Sequence, residues 1–208
     1  LVDGRSKRLI AYHEVGHALI GTLVKDHDPV QKVTVIPRGQ AKGLTWFSPD
    51  DDQMLVTKSQ LKARIMGALG GRAAEDIVFG RAEVTTGAGG DIQQVASMAR
   101  QMVTRFGMSD LGPVSLEGDS QEVFLGRDLM TRSDISDAIS TQIDEKVREL
   151  VKVCYQDTLK IVELNRAAMD KLVEVLIEKE TMDGEEFCKI LATYSSIPKK
   201  ERTIASLT

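Results

Sequence analysis

Two of the three histidines in this 208-residue chain stand four positions apart in the stretch IAYHEVGHALIG (10–21), with Glu14 directly after the first. On a helix, positions i and i+4 share a face, so His13 and His17 can turn ring nitrogens toward one cation about 2 Å away. Glu14 is rotated by roughly 100° from His13, an offset that suits a carboxylate taking a proton from an attacking water without becoming a ligand itself. This is the H-E-x-x-H arrangement of zinc peptidases. The competing reading is a core helix whose histidines merely satisfy buried polar contacts. Gly16, Ala18 and Gly21 favour the metal, because small residues let another element approach the helix closely.

A catalytic zinc site needs three protein ligands and an open position for water. The extended pattern H-E-x-x-H-x-x-G-x-x-H would put glycine at 20 and histidine at 23; the chain has Ile20 and Leu23, so that ligand set is excluded. His27 falls past the expected helix end and reads as a surface loop residue. Two carboxylates then compete. Glu75, in GGRAAEDI, lies on the next long helix and is a candidate ligand or a partner that orients one. Asp91 ends the glycine-rich TTGAGGD (85–91), a loop able to deliver it to the histidines, and its plainer role is a helix N-cap. Residue type and spacing leave that choice open.

The elements that must position these groups are legible in outline. Leu9, Ile10, Val15, Leu19, Ile20 and Leu23 recur at helical spacing from about Asp3, a plausible N-cap, to Val24. KVTVIP (32–37) and GLTWF (43–47), closed by Pro37 and Pro49, predict a small antiparallel hairpin or meander, and GLTWF is a candidate edge strand for an extended peptide. The polar loop SPDDDQ follows. Thr57 and Gln60 have capping-box spacing and open a helix to Val78. Gly67, Gly70 and Gly71 would weaken that helix in isolation and instead permit close packing against a neighbour. Asp91 heads a further helix through Val103, and the stretch from Gly107 to about Arg132 reads as irregular. From about Ser133, apolar residues run on to Leu176 as one very long or two consecutive amphipathic helices. The turn TMDG and a short helix around 185–193 close the pattern. The expected fold class is mainly α with a small antiparallel β element (α+β), as one domain over 1–208: a zinc-site part, 1–130, and a C-terminal helical part, 131–208.

Composition narrows the function classes. A hydrophobic content of 42% with 28% charge is that of a globular protein, and 4% aromatic residues suits helices packed through aliphatic side chains. A net charge of −4 without basic and aromatic clusters argues against nucleic acid as a partner. Cys154 and Cys188 have neither metal-type nor redox-type spacing and read as buried thiols. The chain begins at Leu1, without methionine, and is expected to be a piece of a longer polypeptide.

AYHEVGHALIG, GGRAAEDIVFG, TTGAGGDI with ARQMVTRFGMSDLGP, and EVFLGRD occur in this order across most of the chain. Together they resemble the peptidase domain of the FtsH family, the membrane-anchored, ATP-dependent zinc proteases. The resemblance implies that the third ligand is the aspartate after T-G-A, here Asp91, so that His13, His17 and Asp91 would hold one Zn2+ per chain. Glu14 would be the general base, and Glu75 would orient a ligand histidine. It implies hydrolysis of unfolded or damaged membrane and soluble proteins, and a homo- or hetero-hexamer of related subunits. The membrane segment and the ATPase module that binds ATP have no counterpart in these 208 residues. The wording of the blocks is most similar to the chloroplast and cyanobacterial branch, which implies a thylakoid membrane with the peptidase on the stromal side, or else the cytoplasmic side of a bacterial membrane. The alternative is a ring-forming scaffold whose zinc site is empty or silent.

Overall fold

The computed structural model describes residues 3–48, 55–116 and 136–200. Pro49, most of SPDDDQ, EVFLGRD and residues 117–132 of the 107–132 stretch lie outside the described residues. The chain runs through α1 (Gly4–Leu23), β1 (Val30–Thr34), β2 (Leu44–Phe47), α2 (Lys58–Phe79), α3 (Gly89–Thr104), α4 (Asp137–Leu164), α5 (Arg166–Lys179), β3 (Thr181–Asp183) and α6 (Gly184–Ala192). Helices dominate and the small sheet is antiparallel, as the sequence pattern predicts. Among the described residues no helix is long and apolar enough to cross a membrane.

Local chemistry sets the helix ends. The Asp3 carboxylate accepts the Ser6 amide at 2.7 Å and starts α1. Thr57 and Gln60 form both halves of the capping box at the head of α2, at 3.2 and 2.8 Å. The long C-terminal pattern is two helices, broken at Asn165, whose side-chain amide donates to the Ile161 carbonyl at 2.8 Å. Glu180 ends α5 in the left-handed conformation, φ 65°.

Every residue of α1 from Ile10 to Thr22 is buried, so this is a core helix rather than one with a solvent face. Its closest neighbour is α2. A Cβ on Gly16 would stand 2.3 Å from the Gly70 carbonyl oxygen, and one on Gly70 2.5 Å from that of Gly16; the two backbones touch where side chains are missing. α5 covers α1 elsewhere, tied by Tyr12 Oη donating to Asp170 at 2.7 Å. One cluster of buried residues joins Val15, Leu19 and Ile20 of α1 to Val33, Met169, Leu172, Phe187 and Leu191. A second, around Ile65, Val95, Met102 and Cys154, fills the space between α2, α3 and α4. Cys154 is buried and Cys188 half-buried, and both are free thiols.

The sheet has the order β2-β1-β3. The expected hairpin is present, with Val33 opposite Thr45. The expected turn TMDG is instead a third strand: Thr181–Asp183 pairs antiparallel with β1, Met182 opposite Val33. The open edge of β1 supplies the partner, and Met182, 1% exposed, supplies the apolar anchor.

Candidate metal centre

His13 and His17, on consecutive turns of α1, face α2 across its glycine stripe. A Cβ on Gly71 would lie 2.6 Å from Nε2 of both rings, so this glycine leaves the room the imidazoles occupy. Both rings are buried, and each has its Nδ1 fixed. His17 Nδ1 donates to the Gly67 carbonyl at 2.8 Å, and His13 Nδ1 donates to Glu75 Oε2 at 3.1 Å. Each ring therefore turns Nε2 inward. The two Nε2 atoms are 3.0 Å apart, and Asp91 Oδ2 lies 3.3 Å from each.

This donor set fits a metal ion. Ligands about 2.1 Å from a tetrahedral zinc stand roughly 3.4 Å from one another, close to the spacing found. With both Nδ1 positions protonated, two imidazole lone pairs and a carboxylate oxygen converge on one point, an arrangement that repels itself unless a cation sits among them. Without a metal a proton takes that place. Burial disfavours a charged His13, but the carboxylates of Asp91 and Glu75 outweigh it and raise its pKa from 6.5 to about 9. The same contacts hold Asp91 well below its ordinary range, although burial opposes them, and lower Glu75 likewise. Among the described residues His13, His17 and Asp91 are the one group of this kind.

Each residue singled out in the sequence has a definite place. Asp91 is not the N-cap of α3: Ala88 holds that position, and Asp91 lies in the first turn with its carboxylate aimed at the histidines. Glu75, fully buried, touches His13 through the nitrogen opposite the convergence point. His27 is not a surface residue. It is 7% exposed, packs edge-on against Phe47 with ring centroids 4.4 Å apart, and burial lowers its pKa.

Glu14 lines the same cleft as the two histidines and is hydrogen-bonded to β2. The Thr45 hydroxyl lies 2.7 Å from Glu14 Oε2 and 3.0 Å from the Glu14 carbonyl, and its single proton can serve one of them at a time. A cleft of about 760 Å³ opens over the histidines, lined by Leu44, Thr45 and Phe47 of β2 and by Gly67, Ala68 and Met98. Thr45 and Thr85 hold Glu14 and Glu75, and residue patterns did not single them out. Their only signal was position, one in GLTWF and the other just before T-G-A.

Residues 1–190 match peptidase family M41. The chain is 55% identical, over its whole length, to the chloroplastic ATP-dependent zinc metalloprotease FTSH 2 of Arabidopsis thaliana, of which it covers 30%. Against the ATP-dependent zinc metalloprotease FtsH of Cyanidium caldarium it is 56% identical over 92% of its length and 31% of the relative. That of Trieres chinensis gives 54% over 95% of the chain, again 31% of the relative. The chain thus spans about three-tenths of the length of these curated relatives.

Proposed function

This chain belongs to peptidase family M41, and from that premise we propose that it is the zinc-dependent proteolytic module of a longer ATP-dependent protease. The observation that carries the reading is the convergence of His13 Nε2, His17 Nε2 and Asp91 Oδ2 on one point, with both histidines locked from behind. These three residues would hold the zinc ion, which when bound supplies a Lewis acid that acidifies water and polarises a peptide carbonyl. Glu14, adjacent in the chain and hydrogen-bonded to β2, takes the proton of the attacking water and returns it to the leaving amine. Thr45 holds that carboxylate until it is needed. The outer edge of β2 pairs with the backbone of an extended polypeptide, which favours unfolded substrates of little sequence selectivity.

The relatives' names and the sequence resemblance extend this reading. ATP-driven unfolding and membrane anchoring belong to parts of the longer protein beyond these residues, the subunits form a hexameric ring, and the site of action is the stromal side of a chloroplast membrane, the thylakoid. Residues 1–130 and 131–208 act as one peptidase domain.

The test pairs zinc analysis with hydrolysis of an unfolded model protein. Wild type should carry about one zinc per chain. Glu14→Gln should keep the metal and lose activity by about a hundredfold or more, whereas Asp91→Ala should lose both. Full turnover in Glu14→Gln would remove that residue from its role. A metal-free wild type that refuses added zinc would favour a silent scaffold.

A further inference from the structure

The carboxylate of Glu75 is shared between two partners on different elements. Oε2 accepts His13 Nδ1–H at 3.1 Å. Oε1 accepts both the Thr85 hydroxyl, at 2.5 Å, and the Thr85 amide, at 3.2 Å. The same hydroxyl accepts the Gly87 amide at 3.1 Å and caps the short 3-10 turn Thr86–Ala88, which runs directly into α3 and Asp91. Gly89 and Gly90, the first residues of α3, follow that turn without a break and lead to Asp91 in the helix's first turn.

We propose that Thr85 is a positioning residue for the metal centre, a latch that fixes the turn leading into α3, and so Asp91 in its first turn, to the carboxylate that orients His13. The inference rests on the metal-site reading above. Its physical basis is that the third ligand comes from a different element than the first two, so the end of α3 that carries Asp91 must be held in place against α1 and α2. Thr85 hydrogen-bonds that turn to α2, and it does so through the same carboxylate that sets the His13 ring. One fully buried carboxylate thereby sets both halves of the site.

The experiment measures zinc affinity of the full 208-residue chain, stripped and reloaded, by competition with a chromophoric chelator. Thr85→Val removes the hydroxyl at similar volume and should weaken binding by about tenfold or more, while Thr85→Ser, which keeps it, should stay within roughly threefold of wild type. Asp91→Ala should cost less in the Thr85→Val background than in wild type, because the latch acts through Asp91. Circular dichroism of the chelated proteins checks the fold, and Thr85→Ala carries the same comparison if valine distorts the loop. Wild-type affinity in Thr85→Val, equal weakness in Thr85→Ser, or equal cost of Asp91→Ala in both backgrounds would overturn the proposal. A wild-type chain that binds no zinc would instead overturn the metal-site reading, and the latch with it.

Discussion

At the scale of single residues, the unusual feature is a histidine that prefers its charged form despite burial. Burial works against a charged His13, but Asp91 and Glu75 flank the ring, and in the metal-free protein its pKa stands at about 9 against an ordinary 6.5. A folded-state pKa above the unfolded value means that the proton stabilises the fold fully below about 6.5, and that this stability is lost as pH rises through about 9. The melting temperature of the chelated protein should therefore fall across that interval. The zinc-loaded protein should not share the decline, because the metal replaces the proton among the same lone pairs. Zinc uptake at pH 7 should release about one proton, measurable by titration calorimetry in two buffers of different ionisation enthalpy. A chelated protein with a flat pH profile would show that no proton stands in for the cation.

At the scale of elements, the site exists because α1 and α2 come closer than side chains would allow. Gly16→Ala pushes a methyl into the Gly70 carbonyl, a backbone atom that cannot move aside, and should destabilise the chain by about 2 kcal/mol or more. Gly4→Ala, with nothing within 4 Å, should be neutral or stabilising by up to about 1 kcal/mol. Urea denaturation of the two variants side by side separates close approach from any general effect of losing a glycine. These elements differ in how far they could be read from the sequence. The cap at Asp3, the capping box at Thr57 and the hairpin were legible because their signals lie within a few residues of where they act. β3 was not, since three residues owe their strand conformation to β1, far away in the chain. His27 was misread for a similar reason: its loop folds into a hollow left by Gly21 and Gly67, whose missing side chains would meet Phe47 Cε1 at 2.3 Å and His27 Nε2 at 2.2 Å. His13, His17 and Glu14 stood out by spacing alone. Spacing left Asp91 and Glu75 open and the family resemblance pointed to Asp91; the structure aims the Asp91 carboxylate at both Nε2 atoms and leaves Glu75 on the far side of His13.

At the scale of the whole molecule, the two ends of the chain build one interior. Leu19 and Ile20 of α1 share a cluster with Met169, Leu172, Phe187 and Leu191, all fully buried. β1 is paired on one side by β2 and on the other by β3. Lys7 Nζ reaches Glu180 at 2.9 Å, and Lys200 Nζ donates to the carbonyls of Gly21 and Val24 at the end of α1. A helix buried from Ile10 to Thr22 cannot keep its conformation when one covering layer is removed, because its apolar residues return to water while its polar ones lose their geometry. A chain ending at residue 130 keeps all three proposed ligands and Glu14, yet should fail to fold cooperatively and bind zinc far more weakly than the full chain. Supplying residues 131–208 in trans should recover part of both properties. Proton–nitrogen correlation spectra and zinc titration of the short chain give the answer: dispersed resonances with full zinc affinity would mean that the metal site folds independently of the C-terminal helices.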